Sequence, residues 1–179
     1  MGLLVGGGEP HNATRPWDGQ GCGGRHALAG LWIEGQKYFA DGLKGAWKDD
    51  FGSLGQGMAD RYFRRETPIS ELKLEPAGSE FRKAVWEALC QIPYGEVVTY
   101  GELAQKMAVL RNRERMSAQA VGGAVGHNAI SIIIPCHRVV GANGSLTGYA
   151  GGIDKKIKLL THEGAYSESF FVPKKSTAP

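Results

Sequence analysis

An apolar run that stops at a proline, followed at once by a thiol, an imidazole and a guanidinium, constrains this chain more than any other feature. In "SIIIPCHRVVGANG", residues 131–144, Ile132 to Ile134 call for burial, Pro135 ends the extended run, and Cys136, His137 and Arg138 follow without a spacer. A short apolar run bounded by turn signals reads as a buried strand. The fold must then bring three polar side chains to the rim of its own core. If a turn or helix begins at the strand terminus, exposed backbone N–H groups there favour a thiolate, and His137 adds a base. Cys136 is therefore a candidate nucleophile. The other two cysteines lack this setting. Cys90, between Leu89 and Ile92, reads as a small buried hydrophobe. Cys22 in "QGCGG", with His11 and His26 near by, matches no zinc-ligand spacing, so no metal site is expected.

At 179 residues the chain holds one large domain or two small ones. Its net charge of +3 permits a polyanionic partner without requiring one. The charge is uneven: "KMAVLRNRERM" sets Lys106, Arg111, Arg113 and Arg115 against Glu114, and "DKKIK" repeats the bias, each reading first as a solvated basic face. No apolar run approaches the ~18 residues that span a bilayer. The start lacks the basic region of a signal peptide, and three cysteines without framework spacing suit a reducing compartment. The expected setting is cytoplasmic, with no membrane partner.

Four segments are expected. Residues 1–24, rich in Gly and turn formers, read as loop or poorly ordered. Residues 25–76 read as an N-terminal α/β domain, with a buried strand in "HALAGLWIEG" ended by Gly35. Within it "QKYFADGLKGAW" reads as a short helix broken near Gly42, "LGQGMADRYFRR" as a second helix, and "ISELKLEP" as an edge strand. Residues 77–165 change character. Ser79 caps a helix with Phe81, Val85, Trp86 and Leu89 on one face, and a Pro93–Gly95 turn leads to the extended "EVVTY". Two short helices capped by Thr99 and Ser117 follow, spaced as a helix-turn-helix. "AVGGAV" is not a phosphate loop, because no Lys-Ser/Thr follows and no strand leads in. Residues 166–179 read as a tail.

"IIIPCHRVV", together with "FRKAVWEALCQIPYGEVVTYGELA", "AVGGAVGHN", "GSLTGYAGG" and "KLLTHEG", closely resembles the O6-alkylguanine-DNA alkyltransferases, also called methylated-DNA–protein-cysteine methyltransferases. The motifs run in family order from about residue 78 to 164, and "LAGLWIEGQKYF" resembles the smaller domain. The usual opening strand, ending in a Pro-Leu-Gly or Pro-Ile-Gly turn, is not found in residues 1–24. The resemblance implies an α/β (α+β) fold, a small ribonuclease H-like sheet-and-helix domain followed by a mostly helical domain with a helix-turn-helix. It implies direct-reversal repair, in which an alkyl group passes irreversibly and once only from O6-alkylguanine, with O4-alkylthymine a further candidate, to Cys136 after base flipping. The partner would be double-stranded DNA carrying the lesion, the protein a monomer, and no metal or organic cofactor would be needed.

The resemblance also assigns roles. His137 would deprotonate Cys136 through a water, Glu163 would orient His137, and Asn128 would hold the turn around the site. Tyr100 would contact the flipped nucleotide and protonate the departing guanine. Backbone carbonyls of Cys136 and Val139 would read the guanine amino group, and Tyr149, Ala150 and Gly151 would cover the base. Arg82, Gly101, Gln119, Ala120 and Gly122 would complete the DNA contacts. Arg138 is expected only to make a salt bridge or backbone hydrogen bonds. In "MSAQAVGGA" the family commonly has arginine where this chain has Gln119. That arginine fills the space of the flipped base, and Gln119, shorter and uncharged, is the candidate for the same place; Arg111, Arg113 and Arg115 are the alternatives. A non-enzymatic alkyltransferase-like DNA binder, which lacks the nucleophile, and a Cys-His hydrolase are the rival classes.

Overall fold

The computed structural model describes residues 3–8, 30–33, 35–38, 47–48, 61–66 and 74–174. The chain divides into two compact units: Met1–Gly78 with Ala129–Ile133, and Ser79–Asn128 with Ile134–Pro179.

In the first unit, β1 (Leu3–Gly8) lies between β2 (Gly30–Ile33) and β3 (Trp47–Lys48), antiparallel to both. This corrects the reading of residues 1–24 as loop, because 3–8 form the central strand. Gly6, Gly7 and Gly8 carry no side chain and so leave no alternation to read; pairing on both edges supplies what local pattern does not. The expected strand at 26–35 appears as β2, wholly buried, and Gly35 (φ +75°) turns the chain after it. The segment 36–47 is not a helix at either described end: Lys37 and Tyr38 form a turn, with Tyr38 at φ +60°, and Trp47 belongs to β3. Its middle lies outside the described residues. Of the second expected helix, residues 61–63 are helical and Arg65 (φ +58°) ends them. Of the edge strand expected at 69–76, residues 69–73 lie outside the described residues; Leu74 forms a single bridge and 75–76 are not strand. A later part of the chain completes this unit. Leu31 donates to the Ala129 carbonyl (2.8 Å), and Ser131 donates to that of Leu31 (2.7 Å), with Ile130 buried between.

The second unit is built from capped helices. In α1 (Glu80–Cys90), Ser79 Oγ accepts from the Arg82 N–H, and Val85, Trp86, Ala88 and Leu89 form the buried stripe. Cys90 turns past that stripe and is exposed, against the expectation that it is buried. α2 (Tyr100–Leu110) opens on a reciprocal capping box, Thr99 Oγ1 accepting from the Glu102 N–H while the Glu102 carboxylate accepts from that of Thr99. α3 (Ala118–Gly126) opens on Ser117. The Trp86 indole N–H donates to the Ala124 carbonyl (2.9 Å), locking α1 to α3. The link between α2 and α3 leaves Arg111, Arg113, Glu114 and Arg115 exposed. β4 (Val98–Thr99) runs parallel to β5 (Val139–Val140), and α4 (Ile153–Glu163) ends at Gly164 in the left-handed region. Val140, Leu146 and Leu160 form a core beneath them.

The segment before Cys136 is not the strand its three isoleucines suggest. Ile133 N–H bonds to the Ser131 carbonyl (2.9 Å) around Ile132 at φ +73°, and Cys136 N–H bonds to that of Ile134 (2.8 Å) around Pro135 at φ −81°, ψ 60°. These are two successive γ-turns, the first of the strained, positive-φ kind. Ile132 and Ile134 are buried as their run demands, with Ile133 half-buried, but a β-branched residue at positive φ is a genuine outlier. The second turn delivers the chain into a short 3-10 helix, Cys136–Arg138.

Candidate active site

Cys136 is the first residue of that 3-10 helix and 5% exposed. Asn128, just past the end of α3, donates its amide to the Ile134 carbonyl (2.8 Å) and to Cys136 Sγ (3.0 Å). One amide therefore fixes both the approach to the site and the nucleophile. Burial pushes the Cys136 thiol up; the Asn128 amide, the Lys156 charge and the N–H groups of Cys136 and His137 pull it down. Burial wins. The resting sulfur is a thiol, and a base must take its proton.

His137 is wholly buried, with Nε2 2.7 Å from Glu163 Oε1. An ionised carboxylate only accepts, so Nε2 carries the hydrogen and the basic lone pair sits on Nδ1. Burial holds the imidazole below its ordinary pKa; the Glu163 hydrogen bond and charge oppose this, while Arg138 and Lys156 add to it. A neutral, basic imidazole follows. Arg138 makes both the salt bridge and the backbone hydrogen bond expected of it: Nε and Nη2 clasp the two Glu163 oxygens at 2.8 and 2.9 Å, and Nη1 donates to the Ile92 carbonyl. The Gly95 N–H reaches Glu163 Oε2 at 3.4 Å, made possible by a φ of +82° that glycine alone adopts freely. Glu163 is thus held from three sides and can move neither toward nor away from His137.

Tyr100 begins α2 directly after the capping box, and its hydroxyl donates to the Thr147 and Gly148 carbonyls, each 3.3 Å away. Burial, then the Cys136 charge, raise its phenol above the ordinary value, so it stays a proton carrier. Gly148 (φ +72°) is required here, because a Cβ would lie 2.6 Å from the Tyr100 oxygen. Tyr149 and Gly151 are buried and Ala150 half-buried in the following loop. Gly122 faces the Tyr100 ring, and a Cβ there would lie 3.7 Å from it. Gly101, Gln119 and Ala120 are exposed in the first turns of α2 and α3, and Arg82 is half-buried on α1. None of these last four is brought to the sulfur by a described contact.

Lys156 was missed. "DKKIK" reads as a solvated basic run, yet Lys156 is wholly buried, its ammonium donating to the Val139 and Thr147 carbonyls, the latter at 3.1 Å. A signal existed: Lys156, Leu159, Leu160 and Glu163 follow the helical spacing of one buried face. Val139 keeps a second lone pair for the guanine contact proposed for it. Among the described residues no group of three or more His, Cys, Asp or Glu is placed to hold a metal ion. Cys22, His11 and His26 lie outside them.

A buried thiol beside a neutral imidazole, which a clamped carboxylate orients, defines a protein that uses cysteine as its nucleophile. The comparisons specify which one. Residues 80–165 match the family described as 6-O-methylguanine DNA methyltransferase, DNA binding domain. A methylated-DNA–protein-cysteine methyltransferase of Methanosarcina acetivorans is 42% identical over 134 residues, 75% of this chain and 74% of its own. One from Mycolicibacterium paratuberculosis is 48% identical over 59% of this chain and 61% of its own. The solved Mycobacterium tuberculosis O6-methylguanine methyltransferase superposes with TM-score 0.64 at 35% identity, covering 88% of this chain and 94% of its own. The OGT of the same organism, solved in complex with DNA, gives 0.62 at 38%, over 78% and 81%. The chain belongs to the methylated-DNA–protein-cysteine methyltransferase family.

Proposed function

We propose that this chain repairs DNA by direct reversal, moving the alkyl group of O6-alkylguanine onto Cys136. The observation that carries this is the single connected arrangement of Asn128, Cys136, His137, Arg138 and Glu163 within one compact unit. His137, through water, takes the Cys136 proton; the thiolate attacks the alkyl carbon, an S–C bond forms and the C–O bond breaks. The electron pair leaves on the guanine, which takes up a proton from Tyr100, and the proton held by His137 makes good the balance. The product is a thioether with no acyl or phosphoryl centre for water to attack, so each molecule reacts once. No step calls for a metal or cofactor.

DNA is the partner. α2 and α3, with their capped starts and basic link, serve as the helix-turn-helix, with α3 the groove helix bearing Gln119, Ala120 and Gly122. Gly101 and Arg82 complete the contacts, and Tyr149, Ala150 and Gly151 cover the flipped base. The β2–β1–β3 sheet is the start of the ribonuclease H-like domain. The segments are read as an N-terminal domain to about residue 76, the alkyltransferase domain at 77–165, and a tail. We read the protein as a cytoplasmic monomer; no described helix is long and apolar enough to cross a membrane. Mass measurement after incubation with duplex DNA carrying O6-methylguanine tests the reading. One methylene unit should be gained, on the peptide containing Cys136. An unchanged mass, with DNA still bound, returns the protein to the non-enzymatic binders. Turnover of an ester by the same protein favours the hydrolase.

A further inference from the structure

Lys156 lies on the inner face of α4, wholly out of solvent, and its partners among the described residues are two neutral carbonyls. Among the described residues no carboxylate lies within ion-pair distance of it. A buried ammonium without an anion is costly, and such groups are retained where a charge must be met. The charges around it balance instructively. Arg138 and Glu163 form a closed pair, and His137 is held neutral. Tyr100, the remaining titratable neighbour, stays protonated. That leaves one fixed cation, Lys156, and one group able to become an anion, Cys136. The carbonyls that hold Lys156 belong to Val139, directly after the Cys136–Arg138 helix, and Thr147, which also accepts from Tyr100. Its ammonium is thereby tied to the residue that follows the Cys136–Arg138 helix and to the carbonyl that also holds Tyr100.

We propose that Lys156 is a positioning residue for the transfer, the counter-charge of the Cys136 thiolate, and that alkylation strands it. This rests on Cys136 being the nucleophile. When the thiolate becomes a thioether the anion disappears, while Lys156 remains buried and charged. Its ammonium is already depressed to about 8, by burial first, and only the charge of Cys136 acts in the other direction. The reacted protein therefore holds, like the resting thiol form, a buried ammonium without an anion, and unlike that form it can no longer supply one.

Two measurements test this. The first is the pH dependence of Cys136 carbamidomethylation by iodoacetamide, which reads thiolate directly and needs no alkylguanine. It compares the parent with Lys156→Gln, which keeps N–H donors without charge, and Lys156→Met. The inflection should move up by one pH unit or more in both variants, with an approximately tenfold slower reaction at neutral pH. An unmoved inflection in folded variants makes Lys156 a structural staple and overturns the proposal. If neither variant folds, the second measurement stands alone: carbon-13 NMR of the Lys156 ε-carbon in the parent, before and after methylation of Cys136. The two groups titrate as a coupled pair in the unreacted protein, so its Lys156 curve should be drawn out at the upper end and become a single step at lower pH on methylation; superposable curves overturn the proposal. Loss of the parent's reaction with O6-benzylguanine while iodoacetamide still labels Cys136 would instead count against the repair function.

Discussion

At the scale of single residues, Asn128, His137 and Glu163 are distinguishable by what each does to one proton. Cys136→Ser removes the nucleophile without touching groove contacts, so transfer should vanish while binding to alkylated duplex persists; a gel-shift titration beside a mass measurement checks both. Transfer by Cys90→Ser should equal the parent, since Cys90 is exposed on α1 and joins no part of the site. Glu163→Gln should do more damage. It leaves the Arg138 guanidinium buried without its carboxylate, and breaking such a pair costs about 3–5 kcal/mol. The melting temperature should drop by roughly 6–20 °C at the 2–4 °C per kcal/mol usual for this chain length. The pH profile follows from His137, whose folded pKa lies below the ordinary histidine value because it is buried. A base with a depressed folded pKa binds fewer protons in the native state, so its contribution to stability is complete above ~6.5 and lost as pH falls below that value. The rate of reaction with O6-benzylguanine should likewise hold above ~6.5 and decline only in more acidic buffer. A rate falling steeply between pH 8 and 7 would show a charged resting imidazole.

At the scale of elements, the caps were legible in the sequence and the turns were not. Ser79, Thr99 and Ser117 each begin the helix expected of them, because a cap is a local contract between a side chain and an N–H two or three residues on. Ile132 to Ile134 misled for the complementary reason: burial was readable, but the backbone path was set by the γ-turns at Ile132 and Pro135. Lys156 was hidden by its chemical type, since lysine is almost never fully buried and the eye assigns it to solvent. The proposed pair of Cys136 and His137 could be singled out because adjacency in sequence sufficed. The Arg138–Glu163 clasp spans 25 positions and could not. Two predictions belong here. Gly148→Ala places a Cβ against the Tyr100 hydroxyl in a left-handed backbone, so it should slow reaction with free O6-benzylguanine by tenfold or more. Parent-like kinetics would mean that the loop yields at no cost. Gln119 is exposed in the first turn of α3. If it is the residue that fills the vacated base position, Gln119→Ala should slow repair of duplex DNA but not reaction with the free base, and Gln119→Arg should match or exceed the parent on duplex. An unchanged duplex rate for Gln119→Ala assigns the task to Arg111, Arg113 or Arg115.

At the scale of the whole molecule, reaction should be felt as instability. Cys136 is 5% exposed and already holds the Asn128 amide at 3.0 Å, so an added alkyl group has to displace something. Overpacking of this kind typically costs about 1–3 kcal/mol. Calorimetry of methylated against unmethylated protein should therefore show a melting temperature lowered by roughly 2–12 °C at 2–4 °C per kcal/mol, with the benzylated form lower still. Coincident transitions would show room around the sulfur. A last consequence concerns descent. Residues 129–133 belong to the first unit, where Ala129 and Ser131 pair with Leu31, and the chain reaches Cys136 three positions later. The two halves cannot be shuffled as separate cassettes: a gene carrying only 79–179 would encode a Ser131 N–H and an Ala129 carbonyl without their Leu31 partners. Recombination within the lineage is then confined to exchanges that bring a matching β2 along with the active-site loop, which ties the history of a small sheet to the history of a thiol.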